Sequence, residues 1–306
     1  MAHILVAGLN PAWQKILEFA NLDIGEVNRA ETLIQLASGK GLNAAKVLRR
    51  LGHEVTLLQV VGGANGQKCL EACQALGIRS VHFRVEEETR QCLTLVDRGR
   101  GTVTEIIEPF ATGMDGIGES LLAALPAHPD AFDAVLLCGT LPPGVPEDIY
   151  SWLLDRYRSS LRLMDAWKGV DEALTRLAEA DAGMGYLKIN RKEYASLEAA
   201  LSRLPAPGPL VLVTDGSADA TLIRRGRVLG RIPVSRLIGV RNPIGAGDAV
   251  TAGSAHYLLQ GMEPAEAFRH GLAMGSASCL TLEPAQFAWE DYESLLAGTG
   301  AVGTET

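Results

Sequence analysis

Short apolar runs alternate along most of the chain with segments whose apolar residues recur at helical spacing. Several of these runs end at or near a glycine, which is typical of a buried strand followed by a turn. Two further strands flanking Arg225 and Gly226 form a predicted hairpin. The other predicted strands cover residues 4–7, 55–61, 134–138, 162–164, 185–189 and 210–213.

The segments between these runs have the period of amphipathic helices. Residues 39–51 place their apolar side chains on one face, and Gly52 ends this predicted helix. Residues 66–76 form a second predicted helix, which ends at Gly77. After Asp248 the helical pattern continues to the end of the chain. Strands that alternate with helices predict an α/β fold with a mostly parallel sheet and helices on both of its faces. Ligands bind such sheets at the carboxyl ends of the strands.

One region interrupts this alternation. Residues 81–85, 91–96 and 102–107 look like strands joined by short polar links, and residues 11–37 lack helical period. The interruption predicts a small β-rich lid, built from about 11–37 and 84–110, that can close over a site and exclude water. The α/β pattern resumes near Met114, and we expect a single domain over residues 1–306 because no linker or internal repeat divides the chain.

Composition excludes several functional classes. The net charge of −8 and the lack of a Lys/Arg block argue against nucleic-acid binding. No apolar stretch reaches the roughly 18 residues of a membrane span, and the first residues do not resemble a secretory signal. The five cysteines, without a Cys-x-x-Cys pair, favour free thiols in a reducing compartment. We therefore expect a cytoplasmic protein.

The segment from Arg241 to Asp248 carries the clearest candidate chemistry. The backbone N–H groups of Gly245, Ala246 and Gly247 open a predicted helix, where they lack intrahelical partners and the helix dipole favours an anion. Asp248 follows in the first turn, beside that anion. The segment therefore predicts a site of phosphoryl transfer; the alternative is a glycine-rich turn in which Asp248 only caps the helix.

The two commonest nucleotide-binding motifs are absent. A Walker A motif around Lys40 would need Gly in place of Ile34 and Ser or Thr in place of Gly41. A Rossmann fingerprint starting at Gly245 fails at Val250. Nucleotide binding must therefore use another arrangement.

A second motif, Ala37-Ser38-Gly39-Lys40-Gly41-Leu42-Asn43, precedes the Asn242–Asp248 motif by about 200 residues. With both motifs the chain resembles the ribokinase-like, pfkB-type carbohydrate kinases, in particular the 1-phosphofructokinase and tagatose-6-phosphate kinase branch. The other matching segments are residues 9–12, 25–30, 89–90, 108–109 and 139–144. The resemblance spans essentially the whole chain and implies a three-layer αβα core with a β-sheet lid.

The resemblance implies transfer of the γ-phosphate of ATP, with Mg²⁺, to a sugar hydroxyl. It makes Asp248 the catalytic base, which takes the proton of the attacking hydroxyl. The N–H groups of Gly245, Ala246 and Gly247 would hold the charge that develops on the transferred phosphoryl group. It also implies a homodimer contact through the lid.

The resemblance assigns the sugar side of the site as well. Arg90 would bind the phosphate that a hexose monophosphate already carries, and Arg29 is a weaker candidate for that role. For either arginine the alternative is a solvated surface position, and for Asn43 it is a local helix cap. The remaining sugar-binding positions are Gln14, Ser38, Gly39, Lys40 and Thr140.

Lys188 to Glu193 resembles the Asn-x-x-Glu element of the family. Asn190 would contact the ATP phosphates, and Glu193 would organise Mg²⁺ through water, because this ion keeps several of its waters. The alternative is a strand-to-helix turn with Asn190 as N-cap and Glu193 as its capping-box partner, and both interpretations can hold together. The nucleotide-contacting positions implied in addition are Lys188, Thr214, Gly216 and Ser276.

Gln14 is the main departure from the family. The hexose-phosphate branch usually has Asp there, which grips sugar hydroxyls, whereas Gln keeps an acceptor, loses the charge and adds a donor. The leading hypothesis is a kinase of a hexose monophosphate of the fructose-1-phosphate or tagatose-6-phosphate type. The alternatives are a kinase of an unphosphorylated sugar or nucleoside, and an inactive sensor of sugar phosphates.

Overall fold

The computed structural model describes residues 1–109, 117–128, 130–158, 160–179, 184–299 and 303–304. Within them the strands are, in chain order, β1 (His3–Ala7), β2 (Ala12–Phe19), β3 (Thr32–Ser38), β4 (Glu54–Gly62), β5 (Arg79–Val85), β6 (Gln91–Asp97), β7 (Thr102–Ile107), β8 (Ala134–Cys138), β9 (Leu161–Asp165), β10 (Gly185–Asn190), β11 (Leu210–Asp215), β12 (Ala218–Arg224), β13 (Arg227–Ile232) and β14 (Gly303–Thr304). The helices are α1 (Lys40–Arg50), α2 (Gly63–Ala75), α3 (Ile117–Ala123), α4 (Ile149–Arg156), α5 (Asp171–Ala178), α6 (Arg191–Arg203), α7 (Ala246–Leu259), α8 (Pro264–Ser278) and α9 (Trp289–Gly298).

The large sheet has the strand order β14-β13-β12-β11-β10-β9-β8-β1-β4-β5. Its strands are parallel from β11 to β5, and β12, β13 and β14 add to one edge as antiparallel strands. The predicted mostly parallel sheet is confirmed. Strands β1, β8, β9 and β10 lie at its centre and are buried almost throughout, so their carboxyl ends meet at one edge.

Helices cover both faces of this sheet, which gives the expected three layers. On one face α3, α4, α5 and α6 pack on a core that contains Leu121, Leu153 and Leu174. On the other face α1, α2, α7, α8 and α9 contribute to a second core with Leu48 and Met274. Both cores consist mainly of aliphatic side chains, with some aromatic rings, and have almost no exposed surface, so burial of apolar area holds the layers together.

The four-stranded sheet β3-β2-β6-β7 forms the predicted lid. It combines two separated segments of the chain because β2 pairs in parallel with β6, and β3 and β7 flank that pair as antiparallel strands. Residues 12–38 and 91–107 therefore make the lid, close to the predicted 11–37 and 84–110; residue 110 lies outside the described residues, as does Met114.

Two strand assignments need correction. Residues 81–85 belong to β5, which pairs with β4 at the edge of the large sheet and not with the lid. The short polar links on either side of residues 81–85 do not indicate which sheet this strand joins. It joins the large sheet, where Val81 packs into the core on one of the sheet's faces. The chain is also not helical to its end, since β14 pairs with β13.

All five cysteines are buried free thiols, as predicted. None of the helices in the described residues is both long enough and apolar enough to cross a membrane.

Candidate active site

A cavity of about 870 Å³ lies between the carboxyl ends of the central strands and the lid. Every predicted site residue except Arg29 lines it. Arg29 is exposed and precedes β3 in the connection from β2. Since the paired ends of β2 and β3 at Ala12 and Ser38 reach the cavity, this connection lies at the far end of the lid. The structure therefore does not bring Arg29 to the site.

Residues 241–247, which we call the glycine loop, lead directly into α7. Gly245 is the N-cap of this helix and has a left-handed backbone with φ 83°. A Cβ atom there would also lie 2.7 Å from Cβ of Pro284, so only glycine fits this position. The loop thus leads into a helix that starts at Ala246, as the sequence predicts. Of the three predicted donors, the N–H group of Ala246 makes a 3.3 Å hydrogen bond to the Pro243 carbonyl oxygen within the loop.

Asp248 lies in the first turn of α7 and is buried. Its Oδ2 accepts a 2.8 Å hydrogen bond from Nδ2 of Asn43, and Oδ1 of Asn43 accepts one from the Ser38 hydroxyl at 3.2 Å. This chain of hydrogen bonds joins the two sequence motifs, which lie 205 residues apart at Asn43 and Asp248.

The environment of Asp248 disfavours its charged form. Burial, and then the negative charge of Asp165, raise the pKa of Asp248 to about 6, against the opposing effect of Lys40 and Lys188. A carboxylate with a pKa just below neutral is ionised at physiological pH and remains basic enough to accept a proton. The geometry and the pKa together suit a general base.

Asp165, at the carboxyl end of β9, is a central residue that the sequence analysis missed. Its carboxylate accepts hydrogen bonds from Nζ of Lys40 at 2.8 Å, Nζ of Lys188 at 2.9 Å and the Thr251 hydroxyl at 2.9 Å. Burial by itself would raise the pKa of Asp165, but the two ammonium groups outweigh burial and hold the pKa below its usual range. An acidic residue that ends a buried strand was the available signal.

The two lysines bring positive charge to the glycine loop. A Cβ atom on Gly247 would lie 2.6 Å from Nζ of Lys188, so this ammonium group lies directly against the loop. Burial would lower the pKa of Lys40, but the carboxylates of Asp165, Glu193 and Asp248 outweigh it and raise the pKa above its usual value. Lys40 therefore keeps its positive charge, and the ion pairs with Asp165 fix both side chains at the edge of the cavity.

The glycines of the Ser38–Asn43 segment permit close approach to another part of the backbone. A Cβ atom on Gly41 would lie 2.3 Å from Cα of Gly8, and one on Gly39 would lie 3.2 Å from the carbonyl oxygen of Asn10. We expected these glycines to admit a ligand. They do line the cavity. Their lack of a side chain also lets the start of α1 pack closely on the end of β1.

β10 leads into α6 through a complete capping box that lines the cavity. Oδ1 of Asn190 accepts from the backbone N–H groups of Lys192 and Glu193, and Oε2 of Glu193 accepts from the Asn190 N–H at 2.8 Å. This confirms the capping interpretation. Oε1 of Glu193 lies 3.6 Å from Nζ of Lys40, so Glu193 also faces the charged centre of the site.

The lid forms the remaining wall. Nη2 of Arg90 donates to the Asn10 carbonyl oxygen at 3.1 Å, and Nε2 of the buried Gln14 donates to the Thr94 hydroxyl at 2.6 Å. Glu105 of β7, which the sequence analysis did not select, also lines the cavity. Burial raises the pKa of Glu105, and the charge of Arg90 opposes this effect. The lid thus presents a cation, an amide and a carboxyl group to the same space.

Comparison with known protein families identifies the chain. The family model of the pfkB family carbohydrate kinases matches residues 12–290, which is most of the length of this chain. The chain belongs to the pfkB family of carbohydrate kinases. It is therefore a phosphotransferase with a hydroxyl acceptor, and the predicted resemblance is confirmed.

Solved structures of other kinases share the fold of this pfkB kinase. A candidate 1-phosphofructokinase from Thermotoga maritima has a TM-score of 0.84 at 20% identity, and the match covers 99% of this chain and 100% of that one. Phosphofructokinase-2 from Escherichia coli in complex with fructose-6-phosphate has a TM-score of 0.78 at 20% identity, with 97% and 99% covered. Ribokinase from Thermotoga maritima has a TM-score of 0.71 at 21% identity, with 97% and 100% covered.

The opposite pKa shifts of Asp165 and Asp248 predict opposite effects of the same substitution on the stability of this pfkB kinase. Asp165→Asn should lower the free energy of unfolding at pH 7.5 by on the order of 3 kcal/mol, because it leaves the ammonium groups of Lys40 and Lys188 without their carboxylate. Asp248→Asn should raise it by about 2 kcal/mol, because the folded protein no longer holds a buried charge with a raised pKa.

Urea denaturation at pH 7.5 and pH 5 measures both effects. The advantage of Asp248→Asn should shrink at pH 5, because Asp248 in the folded wild type takes up a proton as the pH falls below about 6. The stabilising effect of Asp165 should persist at pH 5, since its pKa is lowered and its ionised form remains favoured there. An Asp248→Asn variant less stable than wild type at pH 7.5 would contradict this account.

Proposed function

We propose that this kinase transfers the γ-phosphate of ATP to a hydroxyl group of a hexose monophosphate, of the fructose-1-phosphate or tagatose-6-phosphate type. The observation that carries the proposal is that one cavity holds the buried carboxylate of Asp248 at the start of α7 and the guanidinium group of Arg90 in the lid. The first provides a base beside an anion site, and the second provides a cation for a phosphate that the substrate already carries.

The proposed reaction is a single displacement. The carboxylate of Asp248 takes the proton of the sugar hydroxyl as its oxygen forms a bond to the γ-phosphorus of ATP. The bond from that phosphorus to the β,γ-bridging oxygen breaks, and ADP leaves with the electron pair. The proton on Asp248 passes to solvent after the products dissociate. Asn43 orients the carboxylate through its 2.8 Å hydrogen bond.

The glycine loop stabilises the charge that moves in this step. The N–H groups of Gly245, Ala246 and Gly247 at the start of α7 would donate to the transferred phosphoryl group, and that of Ala246 would exchange its long 3.3 Å hydrogen bond to the Pro243 carbonyl oxygen for the phosphoryl oxygen. The ammonium group of Lys188 lies against Gly247 and adds a full positive charge. Because Asp165 holds Lys188 in place, the charge is positioned before ATP binds and needs no rearrangement during transfer.

The residues near Glu193 fit a Mg²⁺ ion carried mainly by the ATP phosphates. Within the part of the chain that the structure describes, no group of three or more His, Cys, Asp or Glu side chains could hold a metal by itself. Oε2 of Glu193 is engaged by the Asn190 N–H, so contact with the ion through water suits this carboxylate better than direct ligation. When bound, the ion neutralises phosphate charge. The amide nitrogen of Asn190 can donate to a phosphate oxygen.

The sugar would lie between the Ser38–Asn43 segment and the lid. Oδ1 of Asn10 is buried without a hydrogen-bond partner in the described residues, beside the cavity, so a sugar hydroxyl group can satisfy it. Gln14 offers an amide where the hexose-phosphate branch usually has a carboxylate. Thr140 also lines the cavity. These groups support a polyhydroxylated acceptor.

One observation favours the second candidate, a kinase of an unphosphorylated sugar or nucleoside. Glu105 presents its carboxyl group to the same space as Arg90 and reduces the positive potential there. A phosphate would be repelled by an ionised Glu105, whereas a sugar hydroxyl group would find an acceptor in it. Which candidate is correct therefore depends on whether the positive charge of Arg90 or the carboxyl group of Glu105 dominates the electrostatic potential in this space.

A substrate panel with matched variants tests the proposal. We expect ADP release with Mg-ATP and a hexose monophosphate, weak or no turnover with free hexoses and nucleosides, and loss of turnover in Asp248→Asn. Arg90→Ala should raise KM for the phosphosugar about 10- to 100-fold, because this is the loss of affinity expected when a charged hydrogen bond is removed. The same substitution should leave KM for ATP within about twofold. Arg98→Ala, which removes an exposed lid arginine, is the control and should change neither.

Other outcomes separate the alternatives. Turnover with only unphosphorylated acceptors would favour the second candidate and remove the proposed role of Arg90. Activity in Asp248→Asn equal to that of wild type would contradict the mechanism. No turnover with any acceptor, together with binding of a sugar phosphate, would favour a sensor.

We also propose that the lid forms a homodimer contact. Leu17 pairs across β2 with Leu33 on one side and Leu95 on the other, which makes a row of leucines on the face opposite Gln14. Leu33 is 55% exposed, so this apolar row faces solvent in the single chain. An apolar sheet face of this kind is a typical interaction surface.

Sedimentation velocity tests the lid contact. Wild type should sediment as a dimer, and the combined substitution Leu17→Glu and Leu33→Glu should give monomer because two carboxylates would be buried without partners. Val228→Glu changes an exposed apolar residue outside the lid and should stay dimeric. A monomeric wild type, or a dimer in the double variant, would refute the proposed contact.

A further inference from the structure

The lid and the glycine loop are joined by an ion pair that the proposed reaction does not use. Oε1 of Glu18 on β2 lies 3.1 Å from Nη2 of Arg241, at the start of the glycine loop. Glu18 is 8% exposed and Arg241 is 49% exposed. Oε2 of Glu18 also accepts from the Thr32 hydroxyl at 3.3 Å, which fixes the carboxylate within the lid.

An apolar contact runs beside this ion pair. Leu282 packs against Ile16 and Val96 on the inner face of the lid. The carbonyl oxygen of the same Leu282 accepts a 2.7 Å hydrogen bond from Nδ2 of Asn242 in the glycine loop. Leu282 therefore contacts the lid through its side chain and the glycine loop through its carbonyl oxygen.

The segment around Leu282 supports the loop at two further points. The N–H groups of Arg241 and Asn242 donate to the Cys279 carbonyl oxygen at 2.8 and 3.2 Å. At the other end of the loop, Gly245 packs against Pro284 so closely that a Cβ atom would not fit. The position of Arg241 therefore affects the orientation of the N–H groups that follow.

We propose that Glu18 is a positioning residue: its ion pair with Arg241 holds the lid and the glycine loop in one arrangement, so that the N–H groups of Gly245, Ala246 and Gly247 are aligned for transfer only when the lid is docked. This inference rests on the proposed role of the glycine loop. It explains why a buried carboxylate of the lid is paired with a residue of the loop. Water exclusion by the lid and alignment of the anion site then occur together.

The position of the pair predicts a particular kinetic effect. Neither side chain is needed to bind the sugar or ATP in the ground state, so KM should change little. A misaligned anion site affects charge that develops during transfer, so kcat should fall. Since half of Arg241 is exposed, the pair should contribute little to global stability.

A double-mutant cycle with Glu18→Gln and Arg241→Gln tests the proposal in the full-length protein. Each single variant should lower kcat about tenfold with KM for both substrates within about twofold, and the double variant should lower kcat no further, because one interaction is lost in all three. Arg241→Lys keeps the positive charge and should retain most of kcat. Glu31→Gln breaks an exposed ion pair with Arg98 inside the lid and should match wild type.

Hydrogen exchange of the peptide that spans residues 241–249 supplies a measurement independent of turnover. Exchange should be faster in Glu18→Gln and Arg241→Gln than in wild type, and unchanged in Glu31→Gln. Single variants with a kcat equal to that of Glu31→Gln, or a double variant whose loss is the product of the two single losses, would overturn the proposal. If wild type phosphorylates no acceptor, the proposed function fails and the exchange rates alone decide: unchanged exchange in the single variants overturns the proposal.

Discussion

The site depends on one carboxylate held between two ammonium groups. Asp165 binds Nζ of Lys40 and Nζ of Lys188 at hydrogen-bond distance; Asp165 and Lys188 are buried, and Lys40 is partly exposed. A buried carboxylate without such partners would be too costly to ionise. With them, its charge fixes both cations beside the glycine loop, and the same charge helps to raise the pKa of the neighbouring Asp248. These two neighbouring carboxylates therefore have opposite protonation tendencies.

The order of the central strands makes this arrangement possible. Asp165 ends β9, and Lys188 lies in β10, the adjacent parallel strand, so their side chains meet at one edge of the sheet. Lys40 comes from the first residue of α1, whose close packing on Gly8 places it over the same edge. α7 then crosses this edge and brings Asp248 to Asn43. The lid closes the remaining side, and Glu18 connects it to the glycine loop.

The sequence predicted the parts of this site that depend on local chemistry. The glycine loop, the helix that follows it and the capping box at Asn190 each require particular residues within a few positions of one another, and the structure has all three. The role of Asp165 depends on strands that meet only in the folded chain, and a single acid after an apolar run does not name its partners. Arg29 does not line the cavity for the converse reason, because its segment resembles the family but lies at the far end of the lid.

The central claim is that the folded protein divides its two buried carboxylates into one that stays ionised and one that accepts a proton near neutral pH. Carbon-13 NMR titration of the aspartate side-chain carboxyl groups tests it directly, with Asp248→Asn and Asp165→Asn to assign the two signals. We predict that the Asp248 signal titrates near pH 6 and that the Asp165 signal shows no titration above pH 4. An Asp248 carboxyl group that titrates at or below pH 4 would contradict the account.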